Sequence, residues 1–223
     1  MAADRMAVLT AMMDQGVIPV FYHPDVEVCK NVIQACANGG AKCIEFTNRG
    51  DFAAQVFLDV ARHFADADKS VIMGVGSVVD APTAGLYIAN GAKFVVGPLL
   101  NADVAKVCNR RKIPYSPGCG TMSEINYAEE LGCEIVKIFP GGSVGGPDFV
   151  KSVLAPCPWT RIMPTGGVDA SEKSLREWFG AGVVCVGIGS NLITKALLDA
   201  KDYGGIEKKV RDTIALIRTI RGK

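Results

Sequence analysis

Lys137 interrupts the apolar run Glu134-Ile135-Val136-Lys137-Ile138-Phe139-Pro140, which otherwise reads as a short buried β-strand. A buried protonated amine is costly unless it is paired, and the usual escape is a lowered pKa that leaves it neutral. A neutral, held amine is a nucleophile for carbonyls, so the placement supports imine chemistry. The alternative is a lysine at a strand end whose head group escapes to solvent. A second group of polar residues lies on another apolar run: strand alternation puts Cys43, Glu45, Thr47 and Arg49 on one side and Ile44 and Phe46 on the other. A carboxylate on an inner face must be paired or work as an acid/base, and burial raises its pKa toward the range that general catalysis needs. A structural salt bridge from Glu45 to Lys137 or Arg49 is the competing reading. The same parity points Ile135, Lys137 and Phe139 together.

These residues must be positioned by repeating elements. Short β-rich runs fall at 17–22, 43–47, 71–77, 94–98, 115–119, 135–140, 161–165 and 183–189. Helix-period segments alternate with them at 25–38, 52–64, 81–90, 102–111, 123–131, 149–154, 172–179 and 192–200, with a last one near 207–220. Strict alternation implies parallel strands joined by crossover helices. Eight such units in 223 residues predict a (β/α)8 TIM barrel with an N-terminal helix, one domain over residues 1–223. An open doubly wound sheet would want G-x-G-x-x-G after its first strand, where the chain has Val20-Phe-Tyr-His-Pro-Asp25.

In a barrel, functional residues belong at the carboxyl ends of the strands. The seventh strand ends Met163-Pro-Thr-Gly-Gly167 and the eighth ends Gly187-Ile-Gly-Ser-Asn191, just before an expected helix. Paired glycines admit an anion close to backbone N–H groups, and a helix start adds donors, so the two turns together predict a phosphate site. Either alone reads as an ordinary tight turn. The run Gly141-Gly-Ser-Val-Gly-Gly146 reads as a mobile loop without helix-opening geometry. Ser77, closing the third strand, reads as a donor to a substrate carboxylate or, equally, as a helix N-cap. Pro98 ends the fourth strand.

The bulk numbers narrow the partners. With 24 basic and 23 acidic residues the formal net charge is +1, and neither sign forms a block, so neither nucleic acid nor a membrane surface is expected. No apolar run reaches spanning length, and the stretch from Met1 to Thr10 resembles neither a signal nor a transit peptide, so a cytoplasmic location is expected. The eight cysteines include no C-x-x-C pair and read as reduced core residues. His23 and His63 lack metal-site spacing, and no metal is expected.

In this order, one per strand end, Ile18-Pro-Val20, Ile44-Glu-Phe-Thr-Asn-Arg49, Gly74-Val-Gly-Ser77, Gly97-Pro98, Ile113-Pro-Tyr-Ser-Pro-Gly118, Val136-Lys-Ile-Phe-Pro140, Pro164-Thr-Gly-Gly167 and Gly189-Ser190 resemble the class I 2-keto-3-deoxy-6-phosphogluconate (KDPG) aldolases, which also act on 4-hydroxy-2-oxoglutarate (KHG). The resemblance covers essentially the whole chain. It implies reversible cleavage of a 2-keto-3-deoxy-6-phospho sugar acid, or of KHG, to pyruvate and an aldehyde such as glyceraldehyde 3-phosphate or glyoxylate. It implies Lys137 as the imine-forming lysine, with no other cofactor, and Glu45 as the acid/base. Arg49, with Ser77, would hold the carboxylate, Thr165, Phe139 and Pro98 would contact substrate, and Gly166, Gly167, Gly189 and Ser190 would hold phosphate. A homotrimer is also implied. Ser77 stands where many members carry Thr, and Asn191 where some carry an aromatic residue, which leaves the choice of sugar acid open. Rival readings are a phosphate-binding barrel isomerase or epimerase without covalent catalysis, and a non-enzymatic keto-acid-binding barrel.

Overall fold

The computed structural model describes residues 4–222, so Met1–Ala3 of the amino-terminal stretch read above, and Lys223, lie outside the described residues. Along the chain it forms α1 (Arg5–Gln15), β1 (Val17–Phe21), α2 (Val26–Asn38), β2 (Cys43–Thr47), α3 (Ala53–Ala67), β3 (Ile72–Gly76), α4 (Ala81–Ala89), β4 (Val95–Val96) and α5 (Ala102–Arg111). There follow β5 (Tyr115–Ser116), β6 (Gly118–Cys119), α6 (Met122–Glu130), β7 (Val136–Ile138), α7 (Gly146–Leu154), β8 (Ile162–Pro164), α8 (Glu172–Gly180), β9 (Val186–Ile188), α9 (Lys195–Asp199) and α10 (Tyr203–Ile220). The alternation is that of an α/β fold, and every strand pairing is parallel.

The strands form two curled sheets, one ordered β5-β4-β3-β2-β1-β9 and one ordered β6-β7-β8. The fifth expected strand is split because Pro117 has no N–H to give to a ladder. Its first half pairs with β4 and its second with β7, while the Pro117 carbonyl still accepts the Lys137 N–H at 3.0 Å. At the other seam the sheets meet through the bridge Thr165↔Gly187 and the bond from Val184 N–H to the Ile162 carbonyl, 3.0 Å.

Two cores follow from strand parity. Ile44 and Phe46 of β2 belong to the outer core beneath the helices. Cys43 belongs to a smaller inner core with Ile18, Ile72, Phe94, Val96, Ile135, Met163 and Cys185. The expected N-terminal helix closes one end of that inner core with Val8, Leu9 and Met12. It is tied down by polar groups as well as by burial. The Gln15 amide Nε2 donates to the carbonyls of Val17 and Cys43, and its Oε1 accepts the N–H groups of Lys42 and Cys43. Arg5 donates to both carboxylate oxygens of Glu134, and Arg221 to the Met13 and Val184 carbonyls. All eight cysteines are free and all but Cys157 are buried, as expected. With this end of the inner core filled by apolar side chains, the open end is the one at the strand carboxyl termini.

Candidate active site

Glu45 sits on β2 level with Val20 of β1 and Gly74 of β3. Parity turns its side chain inward, where it is 1% exposed. Its carboxylate lies over Gly76, and any Cβ at that position would stand 1.8 Å from Glu45 Oε1. Glycine there makes the space that the carboxylate occupies. Oε2 has no hydrogen-bond partner among the described residues. Burial pushes the Glu45 carboxyl above its ordinary value, against the pull of Lys137 and then Arg49.

Lys137 on β7 pairs with Gly118 and Met163 and is 5% exposed, which removes the reading of a strand-end lysine that reaches solvent. Burial pushes its amine below the ordinary lysine value; Glu45 opposes the shift and Arg49 adds to it. Its Nζ lies 4.7 Å from the centroid of the Phe139 ring, so the two expected partners do meet. Glu45 and Lys137 sense each other's charge, yet no ion pair within 4.0 Å joins Glu45 to Lys137 or Arg49 among the described residues. The structural salt bridge is therefore not formed. An acid and an amine, each shifted toward its neutral form, can exchange a proton with a ligand between them at little cost.

Above them opens a cleft of about 960 Å³. Thr47, Arg49, Phe139, Thr165, Gly166, Gly167, Gly189 and Ser190 line it, whereas Lys137, Glu45, Ser77 and Pro98 do not. The buried acid and amine thus lie behind the walls, and Ser77 and Pro98 stand at the edge beyond β3 and β4. Arg49 Nε nevertheless donates to Ser77 Oγ at 3.3 Å, bringing the two expected carboxylate ligands together. Ser77 is not a helix cap: Asp80 caps α4 by accepting the Thr83 N–H. It has instead a left-handed φ of 62°. Thr165 Oγ1 is buried without a partner and packs on Gly187, where a Cβ would lie 2.4 Å away.

Among the described residues, no protein acceptor takes the N–H groups of Gly167, Ser190 or Asn191. Three free donors on two adjoining turns suit an oxyanion. Gly167 holds φ 79°, and a Cβ on it would lie 2.8 Å from the Gly142 backbone. Two expectations are corrected here. Residues 141–146 are built into the site, with Gly141 and Gly142 donating to the carbonyls of Thr165 and Gly166 at 2.9 Å each, and α7 does open from Gly146. No helix starts at Ser190: Leu192 and Ile193 donate back to the Gly189 carbonyl in one isolated turn, and α9 begins only after its cap, Thr194.

Tyr22, His23, Asn191, Lys195 and Lys201 also line the cleft. Attention to strand ends misses Lys195 and Lys201, which lie well beyond β9; for His23, its place two residues past β1 as one of two histidines was the available signal. Among the described residues, no three His, Cys, Asp or Glu side chains gather as a metal-binding group. No helix among them is long and apolar enough to cross a membrane.

Residues 8–209 match the family model described as KDPG and KHG aldolase. This chain belongs to the KDPG and KHG aldolase family. Within that family it is 27% identical over 218 residues to the 2-dehydro-3-deoxy-phosphogluconate aldolase of Haemophilus influenzae, covering 98% of this chain and 100% of the relative. It is 31% identical over 181 residues to the enzyme of the same name from Pseudomonas aeruginosa, covering 81% of this chain and 79% of the relative. Among solved structures, the KDPG aldolase of Legionella pneumophila, captured with pyruvate as a covalent carbinolamine, shares the fold with a TM-score of 0.83 at 24% identity, over 91% of this chain and 96% of that one.

Proposed function

We propose that this chain is a class I aldolase that cleaves a 2-keto-3-deoxy-6-phospho sugar acid, or KHG, to pyruvate and an aldehyde through an imine on Lys137. The observation that carries the reading is an amine 5% exposed, pushed toward its free base, beside a buried carboxyl that is pushed toward its acid. The carbinolamine of the Legionella relative is the intermediate this chemistry passes through.

Lys137 Nζ attacks the C2 carbonyl carbon, and loss of water leaves an iminium. Arg49 holds the substrate carboxylate as a charge-assisted pair, with Ser77 bonded to its guanidinium. Glu45, through a water, takes the proton of the C4 hydroxyl as the C3–C4 bond breaks, and the bonding electrons flow into the iminium. The aldehyde leaves, and the enamine that remains is protonated and hydrolysed to pyruvate. Phe139 lies over the amine, Thr165 borders the reacting carbons, Pro98 contacts substrate from the edge beyond β4, and the turns carrying Gly166, Gly167, Gly189 and Ser190 hold the tail phosphate. No step calls on a metal.

The same proposal takes the chain as one closed (β/α)8 domain, supported by the two ladders, the shared stretch at β5 and β6, and the bridge Thr165↔Gly187. It acts as a homotrimer in the cytoplasm, a compartment suited to eight unpaired cysteines.

Borohydride added with pyruvate tests the chemistry, because only an imine is trapped. Peptide mapping is expected to place one adduct on Lys137, and Lys137→Arg to abolish both adduct and turnover, since guanidinium stays protonated. An adduct on Lys42 or Lys93, or none at all, would leave proton transfer without covalent catalysis as the better reading.

A further inference from the structure

The end of the cleft away from Arg49 carries charge that the aldol steps do not use. Arg49 follows β2 and leans on Ser77 past β3, whereas Lys201 lies beyond β9, on the other side of β1. Lys195 is paired with Asp199 at 2.6 Å, and the Asp25 carboxylate is occupied by the Val28 N–H, 2.9 Å away, as the cap of α2. Among the described residues Lys201 is in no ion pair, so it is the uncompensated cation at this end. It lies close enough to Asp25 that, after the N–H groups of Val28 and Glu27, it helps to hold that carboxyl below its ordinary value.

Its backbone is unusual as well. Lys201 has φ 52°, a left-handed conformation closing the turn after α9, where glycine would sit without steric cost. His23 faces the same space from the loop after β1. Its Nδ1 accepts the Asp25 N–H at 3.1 Å, which leaves the ring proton on Nε2 as a donor free for a ligand. One ammonium and one imidazole N–H therefore stand on the same wall system as the free N–H groups of Ser190 and Asn191.

Resting on the aldolase reading above, we propose that His23 and Lys201 form the tail end of the substrate site and make the enzyme select a phosphorylated sugar acid over the unphosphorylated acid of the same length. The cleft then carries a cation for each anionic end of such a substrate, Arg49 for the carboxylate and Lys201 for the phosphate, with Lys137 between.

The test compares kcat/KM for KDPG and for unphosphorylated 2-keto-3-deoxygluconate in wild type, Lys201→Gly and His23→Asn. Glycine suits the left-handed turn, and asparagine keeps an acceptor for the Asp25 N–H while removing the distal donor, so both variants are compatible with the fold. Lys201→Gly is expected to lower the ratio of the two kcat/KM values about tenfold or more, with the loss in KM for KDPG, as for one charge-assisted contact. His23→Asn is expected to lower it in the same direction by about threefold or more. A ratio within about twofold of wild type in either variant, or a loss confined to kcat, overturns the assignment for that residue. If wild type cleaves neither acid, the aldolase reading fails on its own, and calorimetric titration with inorganic phosphate decides the subsite. Phosphate binding that weakens in Lys201→Gly supports it, and equal or absent binding overturns it.

Discussion

A carboxyl and an amine buried together each shift toward neutrality, and the direction of each shift fixes how activity and stability depend on pH. The folded Lys137 titrates below its unfolded value, so its contribution to stability is present above the unfolded pKa and is lost as pH falls through the folded one. Glu45 titrates above its unfolded value; its contribution is present below the unfolded pKa and is lost as pH rises through the folded one. Both groups therefore cost stability near neutrality, while the free amine that imine formation requires persists to lower pH than an ordinary lysine allows. Borohydride trapping with pyruvate is expected to fall on acidification as Lys137 takes up its proton, and to persist to lower pH than trapping at a solvent-exposed lysine. The paired change Lys137→Met with Glu45→Met should abolish turnover yet raise Tm by about 2–8 °C in calorimetry at pH 7, because it removes two buried ionisable groups that each cost stability there. A fall in Tm would mean that the mutual attraction of the pair outweighs its burial. The sequence exposed this conflict directly, because a lysine inside an apolar strand and a glutamate on the inner parity of another are visible without coordinates. It did not show that the pair stays more than 4.0 Å apart, since that depends on the register across the sheets.

Strand parity made β2 and β7 legible, and what it left unread depends on neighbours distant in sequence. Pro117 was visible, but the regular spacing of the strands concealed that it would divide the run at 115–119 between two ladders. The glycine run at 141–146 has a loop-like composition, yet its fold is set by carbonyls of residues 165 and 166 that no local pattern reveals. Gly76 is the clearest case of one element making room for another, since its missing Cβ leaves β3 open to the Glu45 carboxylate of β2. Gly76→Ala alone should cost about 1–3 kcal/mol of stability in urea unfolding, through overpacking against that carboxylate. In a Glu45→Ala background the obstructing atoms are gone, and the same change should cost far less, giving a coupling of about 1 kcal/mol or more in the double-mutant cycle. Additive losses would mean that the Gly76 backbone, and not the space above it, is what the strand requires.

At the scale of the whole molecule, the surface holds what composition concealed. Phe52 is 84% exposed, and Val79, Leu86 and Leu99 are also exposed, all on the connections and helices of the second to fourth βα units. The Asn101 side chain reaches the Val79 carbonyl, and that of Asn90 the Ala54 carbonyl, so these segments are neighbours. α4, Ala-Pro-Thr-Ala-Gly-Leu-Tyr-Ile-Ala, carries no charged side chain, although a helix on the outside of a fold ordinarily keeps a polar face toward water. Its inward residues Ala84, Tyr87 and Ile88 belong to the outer core, leaving Leu86 on the outer face. An apolar face of this kind is the mark of a surface covered by another chain, and the homotrimer proposed above would cover it. Near-zero net charge gives no electrostatic barrier to such self-association. Sedimentation velocity at micromolar concentration is expected to show a trimer for the wild-type chain, and Leu86→Glu to shift it to smaller species, because three copies would each bury an unpaired carboxylate. The substitution lies on an exposed helical face, so the circular dichroism of the dissociated chain should stay that of the wild type. A monomeric wild-type chain, or a trimer that withstands the glutamate, would place the contact elsewhere and leave the apolar face of α4 without this explanation.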